Sequence, residues 1–380
     1  MKKIACTFGY LSVLAGFSLA VTADGADAQG AGPAATELIA RLSLRESAEP
    51  VREHPRWSRP RIVAVAYYPG LVASEAEFKA RIEAVAGDAE VMLFEPDQTA
   101  PDSIADADVF MGYCSPRIVR QLPRLRWIHT YSVGVDRCLL NEEVRERDFI
   151  MSNNQRVSGP SIAEHAIALM MTLSKNLHYY QAQQYRQHWM RDAGPGTDLS
   201  GKTMLVLGLG GIGTETARRA SALGMRVIAT RNSSREGPDF VAKVGLSEEM
   251  HEFAGEADVV VNALPLTQKT KGLIDKSFFE ALRPGAFYIN VGRGGTTVTG
   301  DLIAALDDGT LGGAGLDVMD PEPLPADHPL WVTKNVLITP HVAGHNVDSA
   351  RRTLIIALEN LRRYVQGEKL LNVVDRQRGY

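Results

Sequence analysis

The sequence predicts an α/β protein built on two doubly wound parallel sheets. Short apolar, β-rich runs alternate with helical stretches along most of the 380 residues. The alternation falls into two blocks on either side of one long amphipathic stretch. The second block opens with Gly208-Leu209-Gly210-Gly211-Ile212-Gly213, set between an apolar strand and a helix. A chain of this length usually forms two domains.

In the first block the strand-like runs are Ile62 to Ala66, Val91 to Phe94, Val109 to Met111 and Trp127 to Thr130, with a helix from Glu75 to Val85 between the first two. A long helix follows from Ser161 to Tyr180. Ser161 is its expected cap, and Ile162, His165, Ala166, Leu169, Leu173 and Leu177 recur at helical spacing. The second block carries strands at Met204 to Leu207, Val227 to Thr230, Val259 to Asn262, Phe287 to Val291, Gly315 to Val318 and Val336 to Thr339. Six strands are enough for a complete dinucleotide-binding sheet.

The amino-terminal region reads differently. Lys2 and Lys3 precede an apolar run from Ile4 to Val21, and Ala26-Asp27-Ala28 supplies a small-x-small cleavage pattern. Residues 1–28 are therefore expected to be an export signal, placing the mature protein in the periplasm and leaving it no stable membrane span. An uncleaved anchor and a start codon assigned upstream of a cytoplasmic protein are the alternatives. Residues 29–60, rich in Pro, Arg, Glu and Ala, read as a tether.

The balance of 41 basic and 45 acidic side chains gives a net charge of −4, which excludes a dedicated nucleic-acid or anionic-membrane binder. Three cysteines are too few for a disulfide scaffold or a zinc site of CxxC type. Cys6 leaves with the signal, and Cys114 and Cys138 are either a pair or two buried thiols. His341 and His345 lack a third partner at metal-binding spacing, so no metal is expected.

The glycine-rich turn carries the first chemistry. Gly208 permits the tight turn, Gly210 lets the backbone approach a pyrophosphate, and Gly213 lets helix and strand pack closely. Gly211 and Ile212 open the helix whose N–H groups face the anion. Just past the next strand, where an acidic residue would hold the ribose hydroxyls of NAD, stands Arg231. With Asn232 and Ser233 it offers a guanidinium fork and polar donors suited to a 2′-phosphate, so NADP(H) is favoured over NAD(H).

Three later segments, Asn290-Val291-Gly292-Arg293-Gly294-Gly295, Gly315-Leu316-Asp317-Val318 running into Pro321-Glu322-Pro323, and Thr339-Pro340-His341-Val342-Ala343-Gly344, resemble the signature blocks of the D-2-hydroxyacid dehydrogenases. The similarity runs from near Arg61 to about Gly367 and includes Ser132-Val133-Gly134-Val135-Asp136 and Leu264-Pro265-Leu266-Thr267.

The resemblance implies a Rossmann cofactor domain over 155–342, inserted into a flavodoxin-like substrate domain made of 61–154 and 343–380, with the active site in the cleft between them. It implies that the N–H groups of Val133 and Gly134 bind the substrate carboxylate. It places Leu264, Pro265, Thr270, Gly292, Asp317 and Gly344 at the cofactor, and it implies a homodimer with the long helix at the interface.

Reduction of a 2-keto acid needs a hydride, a proton for the developing alkoxide and a cation for the carboxylate. His341 suits the proton, Glu322 suits the orientation of His341 and the stabilisation of its charged form, and Arg293 suits the substrate oxygens. The resemblance assigns the same roles to this catalytic set. Small 2-keto acids, glyoxylate and hydroxypyruvate first, are the expected substrates, with Tyr113, Tyr131 and Trp331 near the R group. The competing expectation is a dinucleotide-binding sensor or corepressor-like protein without physiological turnover.

Overall fold

The computed structural model describes residues 32–68, 74–95 and 102–380, so the expected signal over 1–28 lies outside the described residues. The first lobe holds β1 (Ile62–Ala66), β2 (Glu90–Phe94), β3 (Val109–Gly112), β4 (Trp127–Thr130) and β5 (Ile150–Asn153) as one parallel sheet in the order β2-β1-β3-β4-β5. Its helices are α1 (Pro33–Leu42), α2 (Glu75–Ala86), α3 (Pro116–Gln121), α4 (Asp136–Leu139) and α5 (Glu142–Glu146).

The chain then crosses to the second lobe through α6 (Gly159–Ser174) and α7 (Leu177–Tyr185). There β6 (Thr203–Leu207), α8 (Gly211–Ala222), β7 (Arg226–Arg231), β8 (Lys243–Leu246), α9 (Met250–Ala254), β9 (Val259–Asn262), α10 (Lys276–Glu280), β10 (Ala286–Asn290), α11 (Thr299–Asp307), β11 (Leu311–Leu316) and β12 (Val336–Ile338) follow. All seven strands are parallel, in the order β12-β11-β10-β9-β6-β7-β8. The last helix, α12 (Val347–Gln366), returns to the first lobe and packs through Leu354, Ala357, Leu361 and Tyr364.

Each sheet is buried on both faces, which is why its strands read as continuous apolar runs. Val206, Ala229, Val261 and Ile289 point to one side of the second sheet, and Leu205, Ile228, Val260 and Tyr288 to the other. In the first sheet, Val63, Val65, Val109 and Trp127 face one side, and Ala64, Phe110 and Ile128 the other.

Three features depart from the sequence reading. The expected tether is ordered from Gly32 onward: Leu38, Leu42 and Leu44 are buried against Val157, Ile356 and Leu371, each such burial stabilising by about 1.5–3 kcal/mol. Glu46 pairs with Arg363 at 2.7 Å, and Trp57 Nε1 donates to the Tyr364 carbonyl at 2.8 Å. Charged residues on the outer face of this segment gave it the composition of a linker.

The second departure is the long helix. It begins at Gly159, with Ser158 as its N-cap, while the Ser161 hydroxyl accepts a hydrogen bond from Arg352. It breaks at Lys175 and Asn176, Asn176 adopting a left-handed φ of 54°, a conformation that asparagine tolerates. Third, β5 and β8 were not anticipated, and β11 starts at Leu311 instead of Gly315. Ser152 and Asn153 make β5 half polar; Ser152 Oγ accepts from Trp127 Nε1 at 3.0 Å and lies 2.9 Å from His129 Nδ1. Of the two alternatives left open for Cys114 and Cys138 the structure has the pair, a disulfide that ties the segment after β3 to α4. Among the described residues no helix is long and apolar enough to cross a membrane.

Candidate active site

A long cleft between the lobes is lined by nearly every residue that the sequence singled out for the site. From the second lobe come Gly208, Gly210, Gly211, Ile212, Arg231, Asn232, Ser233, Leu264, Pro265, Thr270, Gly292, Arg293, Asp317, Glu322 and His341; from the first come Val133 and Gly134, and Gly344 lies on the segment that returns to it. Tyr113, Tyr131 and Trp331 line it as well. Gly213 does not. A Cβ there would run into the Gly208 carbonyl and Val206, so it is the close-packing glycine between α8 and β6.

Arg293 follows β10. Its carbonyl accepts from Thr296 Oγ1 at 2.6 Å, which fixes the backbone, and its Nη1 donates to the Gly292 carbonyl at 2.8 Å. Its Nε donates to Asp136 Oδ1 of the first lobe at 2.8 Å. The guanidinium lies directly against Gly134, where a Cβ would overlap Nη2. Gly134 is glycine because the cation occupies the side-chain position. Among the described residues neither the Val133 nor the Gly134 N–H has an acceptor, while their carbonyls take bonds from Asn153 and Ser132. The site therefore presents two N–H donors beside a fixed guanidinium, a geometry suited to a carboxylate.

Glu322 and His341 meet on the opposite wall. Glu322 Oε1 accepts from the Met319 N–H at 3.0 Å, and Oε2 lies 2.9 Å from His341 Nδ1. Burial alone would raise the Glu322 pKa; the hydrogen bonds from His341 and Met319 outweigh it and hold the carboxyl below its ordinary range. The carboxylate thus accepts a hydrogen bond from Nδ1–H and leaves Nε2 for the cleft.

His341 sits in a left-handed conformation, φ 56°, with its N–H donating to the carbonyls of Asp317 and Thr339. Asp317, 2% exposed, accepts from Thr339 Oγ1 at 2.7 Å, from the Val342 N–H at 2.9 Å and from the Ala343 N–H at 3.0 Å. Its carboxylate is taken up in shaping the loop that presents His341. His165 packs behind it, with Nε2 2.9 Å from Thr339 Oγ1.

Because the Glu322 pKa is lowered, the carboxylate stays charged across neutral pH and loses its charge only as pH falls through that lowered value. Glu322→Gln removes the charge that favours imidazolium. The alkaline limb of the reductive pH–rate profile is expected to move to lower pH, so activity at high pH disappears first. An unshifted profile would take Glu322 out of the proton pathway.

The glycine-rich turn is open toward the cleft. Gly208 turns with φ 93°, Gly210 has nothing within 4 Å of a built Cβ, and α8 starts without a side-chain cap. An open glycine at the start of a twelve-residue helix is what a pyrophosphate needs. Gly292 lies against the Leu264 backbone, and Thr270 Oγ1 donates to the Pro265 carbonyl at 2.6 Å, so both shape the Leu264 turn.

At the far end of the cleft, Arg231 Nη1 donates to the Glu236 carbonyl at 2.9 Å, and Asn232 Nδ2 donates to Tyr380 Oη at 3.1 Å. Asp136, Tyr380 and Arg156, another residue lining the cleft, were not read from the sequence as site residues. A motif beside Gly134 was the sole hint of Asp136.

The family profile described as D-isomer specific 2-hydroxyacid dehydrogenase, NAD binding domain, matches residues 167–343. A glyoxylate reductase of Aeropyrum pernix is 30% identical, over 74% of this chain and 87% of that protein. The glyoxylate reductase/hydroxypyruvate reductase of Mus musculus is 32% identical, over 76% and 91%. In three dimensions, the NADPH-dependent glyoxylate/hydroxypyruvate reductase of Sinorhizobium meliloti, solved with NADP and sulfate, superposes with a TM-score of 0.70 at 26% identity, covering 84% of this chain and 99% of that one.

Proposed function

Since the chain belongs to the D-isomer specific 2-hydroxyacid dehydrogenase family, and is thus an NAD(P)-dependent oxidoreductase, we propose that it reduces a small 2-keto acid, glyoxylate or hydroxypyruvate, to the D-2-hydroxy acid with NADP(H) preferred. The observation that carries this reading is the convergence on one cleft of a Glu322–His341 pair and an Asp136-anchored Arg293 beside the open N–H groups of Val133 and Gly134.

Val133, Gly134 and Arg293 hold the substrate carboxylate, and the same guanidinium polarises the keto oxygen. The bound cofactor supplies the hydride. His341 gives its Nε2 proton to the oxygen as charge develops there, and the Glu322 carboxylate stabilises the imidazolium before transfer. Asp136 fixes the guanidinium plane across the lobe boundary, so the cation is in register when the cleft is closed. The aromatic wall of Tyr68, Tyr113 and Tyr131, with ring centroids 5.0–6.2 Å apart, supports a short R group.

Two further parts of the reading concern setting. Export to the periplasm is supported by the Cys114–Cys138 disulfide, a bond that persists in oxidising compartments. A homodimer is supported by the exposed Leu177, Tyr180, Tyr185, Trp189 and Met190 on and after α7, large apolar side chains that a partner surface would cover.

The test is a panel of 2-keto acids assayed with NADPH and NADH on purified protein lacking residues 1–28. Turnover of glyoxylate or hydroxypyruvate with NADPH is expected, and no turnover with any substrate would replace the enzyme reading by a binding-only one. Monomer mass in sedimentation, or full-length chain in the cytosol of the native host, would remove the dimer or the export component respectively.

A further inference from the structure

We propose that Arg156, in the crossover between the lobes, is the cation that engages the pyrophosphate of the bound dinucleotide, standing where a side chain on Gly211 would otherwise be. The inference rests on the cofactor reading above and adds a residue to it.

A Cβ built on Gly211 would lie 2.7 Å from Arg156 Cγ and 2.9 Å from its Cα. The stem of Arg156 therefore fills the space beside the first turn of α8, and Gly211 is glycine to admit it. Arg156 holds a left-handed backbone, φ 70°, which is costly for a long side chain and persists where surrounding structure imposes it. That backbone aims the residue at the cleft, which it lines together with Gly210, Gly211 and Ile212.

The local charge balance lacks an anion. Among the described residues no carboxylate forms an ion pair with Arg156, and Glu215, the acidic residue nearest in effect, is already bonded to Arg218 and Arg219. Burial, followed by the charges of Arg45 and Arg231, pushes the Arg156 pKa below the usual arginine value. A half-buried guanidinium among other guanidiniums is stabilised by a polyanion. The first N–H groups of α8 point into the same space without acceptors among the described residues. Arg231, one strand further along the sheet, faces the ribose end, so the two cations divide the cofactor between them.

The division sets the experiment. Dissociation constants for NADPH and NADH are measured by fluorescence titration, without turnover, for the wild type, Arg156→Gln, Arg156→Gly and Arg231→Gln. Arg156→Gly keeps the left-handed backbone at no steric cost, so its loss of affinity reports the guanidinium and not the fold. Both Arg156 variants are expected to weaken NADPH and NADH by the same factor, about ten- to a hundredfold, with a flatter dependence on salt. Arg231→Gln is expected to weaken NADPH alone. Unchanged binding in both Arg156 variants, or a loss confined to NADPH, overturns the assignment. A wild type that binds neither dinucleotide overturns it together with the cofactor reading, and is told apart by the wild-type titration itself.

Discussion

Replacing His341 by asparagine is expected to lower kcat/KM for 2-keto acid reduction by about 10²–10⁴-fold, the usual contribution of a general acid, while cofactor binding is retained. Asparagine is the informative choice because His341 has a left-handed backbone, which asparagine tolerates and alanine does not. The side chain is 40% exposed, so its removal leaves no buried cavity. The amide would still face Glu322 but has no proton to give at neutral pH. Arg293→Ala is expected to lose at least as much, about 10²-fold or more, with a rise in KM that His341→Asn lacks, because the carboxylate clamp goes with the cation and Asp136 is left without its partner. Near-normal turnover by His341→Asn would remove His341 as the proton donor.

The second large effect concerns the cofactor. Arg231→Asp is expected to reverse the preference from NADPH to NADH, with NADPH affinity falling about ten- to a hundredfold or more. Two arginines stand in this loop, and the structure separates them. Arg235 is ion-paired with Glu249, whereas Arg231 has, among the described residues, a backbone carbonyl as its partner and lies on the cleft wall. Aspartate in its place repels the 2′-phosphate and accepts hydrogen bonds from the ribose hydroxyls of NADH. A measured KM ratio that already favours NADH in the wild type would show that the loop does not select NADPH, and equal small effects on both cofactors would mark Arg231 as a solvated surface residue.

The parts of the site that the sequence disclosed are those in which one short segment carries the whole reason. Gly208, Gly210 and Gly213 are explained within six residues by a turn, an opening and a packing contact. Arg293, Glu322 and His341 lie in distinct blocks whose order betrays them. The parts it concealed depend on contacts between distant segments. Asp136 reaches Arg293 across 157 positions, and Asn232 meets Tyr380 across 148. Arg156 looks like any loop arginine until the missing side chain of Gly211 is seen beside it. The same reason hid the order of the segment after Gly32: its leucines are spaced for a helix, but the surface that receives them lies on α12 and the following strand-like turn. In β5, Ser152 and Asn153 obscured the strand because their polar groups are satisfied internally, a circumstance that hydropathy does not register.

The packing of the amino-terminal segment onto α12 also dictates an order of assembly. The second lobe's sheet is built from one uninterrupted stretch of chain, so its contacts can form as soon as that stretch is available. The first lobe has no such freedom. Glu46 awaits Arg363, 317 positions away, and Asn372 joins Arg45 and Asn153 around the end of β5. Until α12 exists, α1 has an apolar face and nothing to cover it, and one side of the first sheet is open. The lobe that presents Val133 and Gly134 therefore cannot be completed before α12 is in place, and the cleft comes into being only when the final tenth of the molecule closes over its beginning.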